Sequence, residues 1–309
     1  PATTGAKFYT DVMELGAPYP DAGYRGWWSA SGLVFGLYRS GRRHHGAPRP
    51  NKPSGYMSFW VPSAPDAYVA TPSASVAMAA DGRFVVSWQS HDQDGWGWGI
   101  YAQRYNADGT TEGGEFRVNS TTGNEQTSPE VAMAANGDFV ITWQSLDTTG
   151  ASSNWGVYAQ RYNWDAAVGG QIQIYDENGA GCCGWADQDH RNEESDPSIA
   201  ITSNGAFVVV WRDTDNDGGN PRIRARRYDA SGADLGWFDV EPTYGAITDQ
   251  HQPAVSMVDD GRFVVVWRGV DEIYSRLFNA DGSASTATFR VNQTTSGFRS
   301  NPSVAVYPD

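Results

Sequence analysis

Four groups of residues in this 309-residue chain have types and spacings that could do chemistry. Asp213-Thr-Asp215-Asn-Asp217-Gly218 alternates carboxylates along a segment turned by glycine. That pattern can wrap oxygen ligands around a hard cation such as Ca²⁺. The twelfth position is Arg224, where an EF-hand carries Glu, so the expectation is a short acidic calcium loop, with a solvated acidic turn as the alternative. His91-Asp92-Gln93-Asp94-Gly95 echoes it and adds Asp92 and Asp94 as further calcium candidates.

Cys182 and Cys183 are adjacent within Gly-Cys-Cys-Gly-Trp185. A bond between neighbours holds its Cα atoms about 3.8 Å apart, below the usual disulfide range. In an oxidising compartment it would form a rigid apolar plate beside Trp185, suited to stacking on a sugar. Two thiols chelating a metal with His190, or two thiols that simply pack, remain open. Arg39, Gln89, Gln144, Arg212 and Arg268 each follow an aromatic at matching points of the chain. The three arginines would coordinate an anion or carboxylate, or the whole set would bond neighbouring modules together. Trp96, Trp98, Trp155 and Trp185, with polar neighbours, have the composition of a carbohydrate site.

Positioning these groups requires a scaffold, and internal repetition supplies it. Val76 to Trp88, Ile100 to Gly109 and Phe116 to Asn119 form a unit that recurs three times. The recurrences carry Asn136-Gly137, Asn204-Gly205 and Asp260-Gly261 at the Asp81-Gly82 position, and Trp143, Trp211 and Trp267 at the Trp88 position. Runs of β-branched and aromatic residues joined by Asp-Gly or Asn-Gly are the hairpin signature. The expected strands of the first unit are Val76–Ala80, Phe84–Trp88, Ile100–Tyr105 and Phe116–Asn119. Four such strands per repeat make a β-propeller blade. The fold class is therefore all-β, a propeller of four-stranded antiparallel blades, five in number, or six or seven if the natural chain extends further. An N-terminal extension over 1–21 is followed by a degenerate blade over 22–71. Four blades follow over 72–120, 128–176, 196–242 and 252–292, and a strand over 301–309 closes the ring. Turns between first and second strands are tight, so the irregular connections gather on the opposite face. All five histidines (His44, His45, His91, His190, His251) fall there, and function is assigned to it.

The repeat resembles the tandem VAMxxDGxFVVxW…IYAQRYNxDG units of large secreted, adhesin-like bacterial proteins, often beside calcium-binding repeats. Asp81-Gly82, Trp88 and Ile100 to Asn106 carry the likeness, over roughly residues 71–309. It implies an extracellular or periplasmic bacterial protein of propeller type and brings no catalytic motif.

Thirty-six acidic against 22 basic residues give a net charge of −14, which excludes non-specific binding to nucleic acid or anionic membranes. Mean hydropathy is −0.52 and no apolar run approaches spanning length, so membrane insertion is excluded too. No Ser-His-Asp order, HExxH or phosphate-binding glycine loop is present. The leading expectation is a secreted, non-catalytic propeller that binds a glycan or protein surface and is stabilised by Ca²⁺. The second is a structural or accessory subunit of a larger assembly; the third is a polysaccharide-active hydrolase or lyase.

Overall fold

The computed structural model describes residues 73–149, 152–175, 195–214, 221–242, 247 and 249–306. The expected blade at 22–71 lies outside the described residues, as do Arg39, Cys182, Cys183, Trp185, His190, Asp215 and Asp217. The chain divides into two units between Ala74 and Ser75. The second unit is built from four antiparallel sheets of four strands each, in chain order. They comprise β1 (Ala74–Met78), β2 (Phe84–His91), β3 (Trp98–Tyr105) and β4 (Thr111–Arg117); β5 (Gln126–Met133), β6 (Phe139–Thr149), β7 (Ser152–Tyr162) and β8 (Ala167–Tyr175); β9 (Ser195–Ile201), β10 (Phe207–Asp213), β11 (Arg222–Tyr228) and β12 (Asp234–Asp239); and β13 (Gln250–Met257), β14 (Phe263–Gly269), β15 (Glu272–Phe278) and β16 (Phe289–Arg290). No helix long and apolar enough to cross a membrane occurs among the described residues.

The turn residues act as their types dictate. Asp81, Asn136, Asn204 and Asp260 each accept the backbone N–H two residues on, at 2.9–3.1 Å. The glycines that follow take φ of 87–94°, a region other residues avoid.

Alternation along the second strands builds the core. Phe139, Ile141 and Trp143 pack with Val85, Ile100 and Ala102 of the preceding sheet. Val140, from the other face of the same strand, packs with Phe207, Val209 and Trp211 of the following one. Val208 and Val210 repeat the arrangement towards Phe263, Val265 and Trp267. The second and third sheets are therefore apolar on both faces and sandwiched in sequence, as blades are. The first strands pack on one another, β5 on β9 and β9 on β13. The fourth strands are exposed along most of their length. First strands are thus innermost and fourth strands outermost.

Three sequence expectations need correction. The fourth strand of the first blade starts at Thr111 rather than Phe116, because the ladder with β3 resumes directly after the Asn106–Thr110 turn. Gln144–Gly156 is not a loop: β6 and β7 stay paired from Ser145↔Gly156 out to Thr149↔Ser152, forming a ribbon that rises beyond the other hairpins. Its Ser and Thr content hides it from a search for apolar alternation. Residues 302–306 do not join a ladder. They are nevertheless anchored: the Asn301 N–H donates to Gln252 Oε1 at 2.9 Å and the Val306 N–H to Ser256 Oγ at 3.2 Å.

Candidate functional site

The second-to-third strand turns and the fourth-to-first connections share one end of the blades. There the Leu146 N–H, at the base of the β6–β7 ribbon, donates to the Glu125 carbonyl at the entrance to β5. The same end carries a repeated device. Ser128, Asp196, Gln252 and Asn301, each preceding a proline, have φ of 51–55°. The register of β5 against β6, and of β13 against β14, shifts at this point. The left-handed residue turns its N–H out of the ladder. Gln89 Oε1 accepts the Ser128 N–H at 3.0 Å and Gln144 Oε1 that of Asp196 at 3.2 Å. Two members of the expected ring after the strand-two aromatic therefore bond neighbouring blades.

The arginine members behave differently. Arg212 donates to Ser195 Oγ of its own blade at 3.3 Å. Arg268 faces Asp249 Oδ2 at 3.6 Å, with Phe298 stacked over its guanidinium at 5.0 Å. Asp249 also meets His251 Nε2 at 2.5 Å. His251 lies within β13 and His91 closes β2, so both are strand residues rather than loop residues.

The described calcium candidates, Asp213, Asp92 and Asp94, are drawn apart. Asp213 is 2% exposed and sealed against Arg224, the residue that displaces the EF-hand Glu. Arg224 in turn contacts Asp239 at 3.3 Å and lies over the Trp237 ring. Asp92 pairs with His91 at 2.9 Å, while Asp94 accepts from Asn119 Nδ2 at 3.4 Å. Asn119 itself holds the blade edge by accepting the Ile100 N–H at 2.8 Å. Among the described residues no group of three or more His, Cys, Asp and Glu side chains gathers around a point that could hold a metal. Nor are the described tryptophans, Trp96, Trp98 and Trp155, assembled into one platform. Trp96 is 73% exposed, Trp98 packs edge-on against His91, and Trp155 pairs with Leu146 in the ribbon.

Glu130 is the residue that sequence inspection missed. It lies on β5, an innermost strand, four residues inside its long-connection end. Its Oε2 accepts from Ser75 Oγ at 2.9 Å, and Ser75 Oγ accepts the Val131 N–H at 3.2 Å. Burial pushes its carboxyl from an ordinary 4.5 up to about 6, against the opposing pull of the Ser75 hydrogen bond. Aligned by Val131, Ile199 and Val255, the other blades carry Ser198 and Ala254 at this point, so the carboxylate is an exception to the repeat. Comparing the repeats position by position would have exposed it.

The raised value has a consequence for stability. The folded protein binds a proton more tightly than the unfolded chain, so stability falls as pH rises from about 4.5 through about 6. Glu130→Gln removes that penalty. Urea unfolding should find the variant equal to the parent near pH 4 and more stable above pH 7, by on the order of 2 kcal/mol.

No protein-family model and no curated protein matches the chain. Solved structures align with it at low identity. A protein of unknown function from Dyadobacter fermentans is 14% identical with a TM-score of 0.46, covering 70% of this chain and 68% of that one. An α-L-arabinanase from Penicillium chrysogenum, complexed with arabinobiose, is 13% identical with a TM-score of 0.48, covering 71% and 65%. An endo-arabinase from Bacteroides thetaiotaomicron is 16% identical with a TM-score of 0.44, covering 78% and 81%. The chain thus spans just under two thirds of the Penicillium enzyme's length. The leading expectation of a non-catalytic glycan binder is corrected: among the described residues the expected aromatic platform is not assembled, while the named activities of the aligned structures are enzymatic, at identities and TM-scores that bear on the fold alone.

Proposed function

We propose that this chain is a polysaccharide-active enzyme, a hydrolase or lyase, working at the long-connection end of its blades. The observation that carries this is Glu130, a part-buried carboxyl on an innermost strand, raised to about 6 and, among the described residues, without a nearby cation to hold its charge. A carboxyl so poised holds its proton up to about pH 6 and can deliver it to a glycosidic oxygen as that bond breaks. Asp196 on neighbouring β9 takes the Ser128 position, two residues nearer the long-connection end, an offset of about 7 Å along the strand. It is the proposed second carboxyl group. Exposed Trp96 and Phe298, which adjoin the same end, would stack on sugar rings. A closed five-bladed ring completed by residues 22–71, and calcium held by Asp215 and Asp217, belong to the same proposal.

The test is turnover of a panel of plant, algal and bacterial polysaccharides, read as new reducing ends or unsaturated uronate. Glu130→Gln should lower kcat by about 10²–10⁴-fold with the fold intact. Absence of turnover across the panel, or an unchanged kcat in the variant, would contradict the proposal.

A further inference from the structure

The cross-strand pair at the entrance to each first strand changes character around the blades. In the second blade it is Thr127 and Gln144, joined at 2.9 Å and neutral. In the third it is Ser195 and Arg212. In the fourth it is His251 and Arg268, with Asp249 placed between them. The fold does not need charge here. Where Gln144 bonds the next blade, Arg268 offers no acceptor, and Gln252 on the first strand takes over by accepting the Asn301 N–H. Arg268 is thereby released from blade-to-blade bonding. Its Nε is buried without a hydrogen-bond partner, and Asp249 lies beyond hydrogen-bond range of its Nη2. Phe298, 66% exposed, presents an apolar face beside it.

We propose that Arg268 and His251 form a subsite for a carboxylate-bearing sugar, a uronate residue of the polysaccharide. The guanidinium holds the carboxylate through paired N–H donors, and Phe298 covers the sugar ring. Asp249 fixes the imidazole through its Oδ1 and sets the limit of the site on its own side. This inference rests on the enzymatic reading above for its substrate, but not for its chemistry. The strongly acidic chain does not attract a polyanion at long range, so recognition must come from these short contacts, which salt screens least.

The experiment follows from the repeat. Arg268→Gln and His251→Thr install the residues that the second blade already carries, so both variants should fold as the parent does. Calorimetric titration with tetragalacturonate, and with arabinotetraose as the neutral control, reads the subsite directly. The parent should bind the acidic oligomer at least tenfold tighter than the neutral one, and Arg268→Gln should lose about 10–100-fold in affinity for it alone. Equal affinity for both oligomers, or an unaffected Arg268→Gln variant, overturns the subsite. Uronate binding that depends on Arg268 without any turnover supports the subsite and overturns the enzymatic reading only. Glu130-dependent cleavage of a neutral polymer with no uronate binding does the reverse.

Discussion

Trp211→Ala is expected to destabilise the protein by about 3–5 kcal/mol, the range for removing a fully buried large aromatic from a core that collapses incompletely. Trp211 has no exposed surface and packs in the apolar layer between the second and third blades, with Val157, Ile174 and Phe207 among its neighbours. Two sheets close on that layer, and each is fixed on its far side by another apolar layer. The backbone therefore has little freedom to fill the void. At roughly 2–4 °C per kcal/mol for a unit of this size, thermal unfolding followed by circular dichroism should move down by at least about 6 °C. A shift under 2 °C would show that the layer is not continuous.

Asp213→Asn is expected to lose a comparable amount, about 3–5 kcal/mol, because it leaves the Arg224 guanidinium buried without its closest counter-charge. Asp239 is more exposed and lies at 3.3 Å, so it offsets the loss only in part. The double replacement Asp213→Leu with Arg224→Met removes both charges together and should recover most of the stability, since a buried pair replaced by apolar groups is often neutral. Denaturant unfolding of Asp213→Asn and of the double variant decides this. If Asp213→Asn unfolds like the parent, or the double variant is the least stable, Asp213 has another role, of which cation binding is the nearest.

Much of the scaffold was legible because the repeat states it several times. Asp81-Gly82 and its equivalents marked the tight turns, Trp143, Trp211 and Trp267 marked the layers between blades, and both were found where the spacing put them. Trp88 is only part-buried, although its sequence context is the same. Legibility failed where a residue's partner is distant in sequence. Asp213 looks like a cation ligand beside Asp215 and Asp217, yet the neighbouring strand supplies Arg224 eleven positions later and neutralises it. Asp92 and Asp94 share a short loop but are claimed by His91 and Asn119 in opposite directions. Gln89 and Gln144, by contrast, bond the neighbouring blades as one reading of their ring expected, accepting from the left-handed residue of the next blade. Glu130 carries no motif at all. A single carboxyl stands out only when the repeats are laid against one another, and the packing of first strands then shows that it sits innermost and poorly solvated.

The most direct measurement is the pH dependence of kcat/KM on whichever polysaccharide the parent cleaves, recorded for the parent and for Glu130→Gln. If Glu130 gives up its proton in the bond-breaking step, the parent's activity falls as pH rises through about 6 and that limb vanishes in the variant. A falling limb that persists unchanged after the carboxyl is gone would contradict the assignment and move the chemistry elsewhere on the molecule.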